Sequence, residues 1–126
     1  MEYLSVEGNL GGNQMFEVIT PTLVHNDNLK YLNVSNNMLT DDIIPLLQEI
    51  LKYNVTLTAL LMRWNKLTAK GGALLAGYLR TNDALRVLDV SFNYIGTGKE
   101  EEVTEMAIQM GEMFRENRGL IHVDMS

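Results

Sequence analysis

Apolar and polar residues recur along this chain in one phrase: two leucines three apart, an apolar residue two further on, an asparagine three after that, then another apolar residue. It reads "LKYLNVSNNML" at 29–39, "LTALLMRWNKL" at 57–67 and "LRVLDVSFNYI" at 85–95. Alternation at the start of each phrase predicts a short strand with one buried face. The asparagines, Asn37, Asn65 and Asn93, arrive where the pattern calls for an apolar side chain. An amide carries two donors and an acceptor, so burying it without partners is costly. Its recurrence therefore predicts a column of amides, headed by Asn9, that satisfy turn backbone groups in their own and the adjoining coil.

The spacing is 28 residues throughout: Leu29, Leu57 and Leu85 keep step, as do Leu32, Leu60 and Leu88, and Asn54 and Asn82. Met1, Leu4, Val6, Asn9 and Asn26 hold the same positions, so the first 28 residues read as a repeat weakened by Gly11. After Leu85 the spacing stretches to 35, at Leu120, Val123 and Met125, with Asn117 answering Asn82. The extra seven residues are about two helical turns. The expected units are 1–28, 29–56, 57–84, 85–119 and a partial 120–126, read as one domain.

Between the strand phrases lie helix patterns. In "TDDIIPLLQEILKYN", Ile43, Leu46, Leu47, Ile50 and Leu51 fall at helical spacing, and Pro45 is tolerable only in the first turn, so a start near Asp42 is expected. "TAKGGALLAGYLRTN" sets Leu74, Leu75, Tyr78 and Leu79 on one face, with small residues suited to close packing. The last helix, roughly Lys99 to Glu116, carries Val103, Met106, Ala107, Met110, Met113 and Phe114 three or four apart. Its "KEEE" opening places negative charge where the helix dipole favours it. In the first repeat, "MFEVITPTLVHN" has Pro21 at mid-helix among β-branched residues, which predicts only a short or broken helix.

These phrases resemble the leucine-rich repeat family, and the period resembles its ribonuclease-inhibitor-like, intracellular class. The resemblance implies an α/β solenoid, a horseshoe segment with parallel strands on the concave face and helices on the convex face. Families with similar repeats include ribonuclease inhibitors, innate immune receptors, tropomodulin-like actin cappers, regulators of Ran-type small GTPases and axonemal scaffolds. The implied function is non-catalytic protein binding within a larger cytoplasmic assembly, cytoskeletal or axonemal, with cytoskeleton or cilium as its setting. The alternative is a GTPase-activating role of the Ran-regulator type, in which Arg63 or Asn36 would face a partner's nucleotide.

Composition narrows the chemistry. A net charge of -6 disfavours nucleic acid and anionic membrane surfaces. The absence of cysteine excludes disulfides, thiolate zinc sites and a cysteine nucleophile. His25 and His122 stand too far apart in the stack to share a metal, and no cofactor is expected. "GTGKEEE" lacks the first glycine and the Ser or Thr of a phosphate loop and reads as a helix start. Ser35 and Ser91 are expected at exposed strand ends, without a histidine to activate them. Asp89 and Asp124 are expected side by side, as a solvated or partner-facing patch. No catalytic residue is assigned.

What remains is the surface facing away from the core. Side-chain alternation predicts concave rows running through Tyr3, Tyr31, Ala59, Val87 and His122, through Ser5, Asn33, Leu61, Asp89 and Asp124, through Glu7, Ser35, Arg63 and Ser91, and through Gly8, Asn36, Trp64 and Phe92. Aromatics flanked by Arg63 and Leu61 match the residue types that dominate interface hot spots. The expected partner site is therefore Tyr31, Leu61, Arg63, Trp64, Asp89 and Phe92, taking a protein on the concave face. The last strand is expected to have an open edge calling for further repeats or an assembly neighbour.

Overall fold

The structure, a computed structural model, describes residues 2–8 and 11–126. Five short strands, β1 (Tyr3–Ser5), β2 (Tyr31–Asn33), β3 (Ala59–Leu61), β4 (Val87–Asp89) and β5 (His122–Asp124), form one parallel sheet in sequence order. Return helices α1 (Gly12–His25), α2 (Ile44–Tyr53), α3 (Ala69–Leu79) and α4 (Glu100–Glu116) connect them, with a 3-10 turn at Asp41–Ile43 before α2. The register follows the repeat: Tyr3 pairs Tyr31, Tyr31 pairs Ala59, Ala59 pairs Val87, and Val87 pairs His122 across the longer unit. A right-handed strand–helix–strand path requires this parallel order, and each unit closes its core only against its neighbours.

Leu32, Leu60 and Leu88 lie side by side in that register and are fully buried, as are Val34, Met62 and Val90 behind them. Burying each such side chain contributes about 1.5–3 kcal/mol, repeated coil after coil. The helices close the layer through Phe16, Leu23, Ile43, Leu47, Ile50, Leu75, Leu79, Met110 and Met113.

The asparagines stitch the coils. Asn65 Oδ1 accepts the backbone N–H groups of Asn37 and Leu39, both at 3.0 Å, while its Nδ2 donates to the carbonyls of Val34 and Met62 at 3.1 Å. Asn93 repeats this one coil on, accepting from Leu67 and donating to Met62 and Val90. Asn37 donates to Val6, Val34 and Ser35, and Asn9 lies outside the described residues. A second column stands at the far rim, where helix meets strand. Asn54 donates to the carbonyls of Leu23 and Asn26, and Asn82 and Asn117 make the corresponding bonds to Leu51 and Leu79. Each turns its oxygen to the N–H groups two and three residues on. Asn54 is buried in that column, and Asn33, also buried, donates to Glu7 and accepts the Ser35 N–H.

Four expectations are corrected. The first repeat holds a continuous 14-residue helix despite Pro21. Pro21 and Glu17, whose carbonyl loses its donor, are both exposed, so solvent can replace the missing bond. Thr20, one of the β-branched residues, turns its hydroxyl back onto the Phe16 carbonyl at 2.6 Å. Leu74 is exposed on α3, because α4 packs on the small side of that helix: a Cβ on Gly72 would stand 3.1 Å from Ile95 and 3.3 Å from Met106. Ala107 and Phe114 are exposed on α4; Phe114 is 54% exposed, whereas Leu79, at the corresponding helical position on α3, is fully covered by the next coil. Finally, Ser35 and Ser91 are not at exposed strand ends but 1% exposed, turned inward and hydrogen-bonded.

Candidate binding surface

Each strand is only three residues long, so alternation ends before the residues of greatest interest. The chain then turns through a left-handed residue, the one preceding each column asparagine. Gly8, Asn36, Trp64 and Phe92 have φ of 76°, 56°, 56° and 58°. Glycine and asparagine take that conformation readily, but for a bulky residue it is an outlier, costing about 1–2 kcal/mol. The left-handed turn, not strand alternation, presents Trp64 and Phe92 outward, 57% and 45% exposed.

The two rings stack, with centroids 4.3 Å apart and planes 5° from parallel. A second stack, Tyr3 on Tyr31 at 4.2 Å, lies at the start of the strands. Burial, and then the hydrogen bond with Tyr3, raises the Tyr31 hydroxyl above its ordinary pKa. Between the stacks the concave floor is apolar or small, with Ala59, Leu61 and Val87 half-buried.

Arg63 spans the gap. Its guanidinium lies 5.7 Å from the Phe92 ring centroid, and its Nε is 3.4 Å from Asp89 Oδ2. Arg63 and Asp89 form an ion pair without a hydrogen bond, and Nε is buried with no hydrogen-bond partner among the described residues. Ser35 supports the same residue by accepting the Arg63 N–H at 3.0 Å. Asp89 Oδ1 takes both the N–H and the hydroxyl of Ser91, at 3.0 and 2.6 Å. Asp124, the register partner of Asp89, is engaged with Ser126, whose hydrogen bonds hold its carboxyl below the usual range. The two aspartates thus turn to different partners, and neither is arranged to share a proton.

The structure brings Leu61, Arg63, Trp64, Asp89 and Phe92 into one continuous surface. Tyr31 belongs to the separate stack across the floor. Met38 and Tyr94, both exposed on the turns that flank or carry this pair, went unnoticed in the sequence because they lie two residues past the left-handed turn, where no period-two argument reaches. Among the described residues no group of three or more His, Asp or Glu could hold a metal, and no helix is long and apolar enough to cross a membrane.

Family models described as Leucine Rich Repeat match residues 28–50 and 53–76. The chain is a leucine-rich repeat protein. Among solved structures, this leucine-rich repeat protein is similar to leiomodin-1 actin-binding site 2, with 22% identity and a TM-score of 0.84, covering 100% of this chain and 70% of that one. It is also similar to the tropomodulin C-terminal domain of Caenorhabditis elegans, at 13% identity and a TM-score of 0.85, covering 100% of this chain and 74% of the other. At these identities the likeness is one of fold. No curated protein matches the sequence.

Proposed function

We propose that this leucine-rich repeat protein is a non-catalytic binding module of the actin cytoskeleton, holding its partner on the concave face through Tyr31, Leu61, Arg63, Trp64, Asp89 and Phe92. The observation that carries the reading is the stacked Trp64–Phe92 pair. Two large aromatic faces are held open to solvent by an unfavourable backbone conformation, on a scaffold where smaller residues fill the same position. Strain of this kind is tolerated where the exposed group serves a purpose. Trp, Tyr and Arg are the residues that concentrate binding energy at protein interfaces. The actin connection is drawn from the leiomodin-1 actin-binding site, whose fold the whole chain matches.

Co-sedimentation with filamentous actin tests the reading. The expected result is saturable pelleting that is lost in Trp64→Ala/Phe92→Ala. A chain that stays in the supernatant at every filament concentration, or a double variant that pellets unchanged, sinks the proposal.

A further inference from the structure

We infer that the rim built by Met38, Trp64, Lys66, Phe92 and Tyr94 takes an acidic segment of a partner protein, with an apolar or aromatic side chain of that segment laid on the Trp64–Phe92 plate. The inference rests on the protein-binding reading above and names the chemistry of the segment that the site receives.

Charge is the first ground. The chain carries 16 acidic residues against 10 basic ones, yet the three turns that build the rim, "SNNM" (35–38), "RWNK" (63–66) and "SFNY" (91–94), contain two cations and no carboxylate. Asp89, at the end of β4, is committed to Arg63 and Ser91, and Glu7, one coil before the first of these turns, accepts from the Asn33 amide. Lys66 is exposed and, like Lys52, Lys70, Arg86, Lys99 and Arg118, forms no ion pair among the described residues; what sets it apart is its place in the rim, on a turn without a carboxylate. A basic segment would meet Lys66 and Arg63 with like charge. An acidic one finds the unpaired Lys66 beside an apolar plate, with the guanidinium of Arg63 shared with Asp89 at its foot, and complementarity of this kind both steers encounter and rejects the wrong sign.

The second ground is shape and composition. Met38 and Tyr94, each two residues past the left-handed position of its turn, are exposed, and Met38, like Trp64 and Phe92, has a positive φ, of 61°. Methionine, aromatic residues and arginine are enriched at interface cores, and the flat stacked pair offers one broad apolar face instead of scattered contacts. Arg63, held over Phe92, extends the plate with a planar cation able to meet a carboxylate in a bidentate fashion.

Trp64 is the only tryptophan, so its fluorescence reports the plate directly. The probes are three eight-residue peptides without tryptophan: aspartates and glutamates around a central leucine–phenylalanine pair, the same peptide with lysines for the acids, and the acidic peptide with two central serines. The acidic leucine–phenylalanine peptide should shift the Trp64 emission saturably, binding about tenfold or more tighter than either control, and should weaken as salt is added. Lys66→Glu, a surface substitution that leaves the core untouched, should weaken it about tenfold or more, and Phe92→Ala should do the same. Equal or tighter binding of the basic peptide, no titration by the acidic one, or unchanged affinity in Lys66→Glu would overturn the inference. Titration without actin pelleting would leave the rim standing and remove the cytoskeletal reading. Pelleting without titration would do the reverse.

Discussion

Trp64 and Phe92, 28 residues apart in sequence, lie face to face with ring centroids 4.3 Å apart, and both sit in left-handed backbone. The stack is worth about 0.5–1.5 kcal/mol, comparable to what each residue gives up by its conformation. Truncation at Trp64 should therefore invert a familiar order. In ordinary backbone glycine is the less stable replacement, but here Trp64→Gly should be more stable than Trp64→Ala by about 1 kcal/mol, because only glycine relieves the positive φ. Urea unfolding of the two variants measures it, and an alanine variant of equal or greater stability would refute the strain argument.

The Asn65 amide joins two coils through five hydrogen bonds. Asn65→Ala leaves two buried N–H groups, of Asn37 and Leu39, without an acceptor, each costing about 1–3 kcal/mol. A loss of about 3 kcal/mol or more is expected in chemical denaturation. A loss below about 1 kcal/mol would mean that water or a shifted backbone replaces the amide.

Two helical glycines should respond in opposite directions. A Cβ on Gly71 would meet the Asp41 carboxylate, which is pinned there by the Thr68 N–H at 2.8 Å and by the Thr68 hydroxyl. A Cβ on Gly111 meets nothing within 4 Å. Gly71→Ala should lower stability by about 1–3 kcal/mol through overpacking, and Gly111→Ala should raise it by about 0.5–1 kcal/mol through helix propensity. Thermal unfolding of both variants decides the matter; matching signs would discredit the packing seen at Gly71.

Arg80 binds Glu116 between α3 and α4, at 2.9 Å from Nε and 3.1 Å from the terminal nitrogen. The hydrogen bond from Arg80 holds the Glu116 carboxyl below its ordinary range. A lowered folded pKa means that the pair stabilises fully above the ordinary carboxylate value of about 4.3, and that this stability is lost as the pH falls through the folded value. Both groups are solvent-accessible, so the effect is small. Wild type and Glu116→Gln should differ in Tm at neutral pH and converge in acid, once the pH has fallen through the lowered pKa of the folded state. A difference that persists there would show that the carboxylate charge is not its source.

Much of the scaffold was legible because the repeat turns one spacing into many contacts. The register of every strand pair, the buried leucine positions and the amide column through Asn37, Asn65 and Asn93 all follow the 28-residue and 35-residue offsets. The second column at Asn54, Asn82 and Asn117 was visible as a spacing, but its role was not. Its partners are carbonyls at the ends of preceding helices, and no local pattern points there. Pro21 was misread for a related reason. A proline breaks a helix according to which carbonyl it orphans, and only the packed coil shows that the orphan faces solvent.

By itself, then, the sequence determined the repeat, the parallel order of the strands and the residues that stack coil upon coil, because a period is a statement about which positions share an environment. Only the tertiary structure decided which way Trp64 and Phe92 face, that Ser35 and Ser91 turn inward, and that Arg63 is held between Asp89 and Phe92. Those outcomes depend on a left-handed residue after each three-residue strand and on contacts between neighbouring coils. Backbone handedness and cross-coil distance are not written in the spacing of apolar residues.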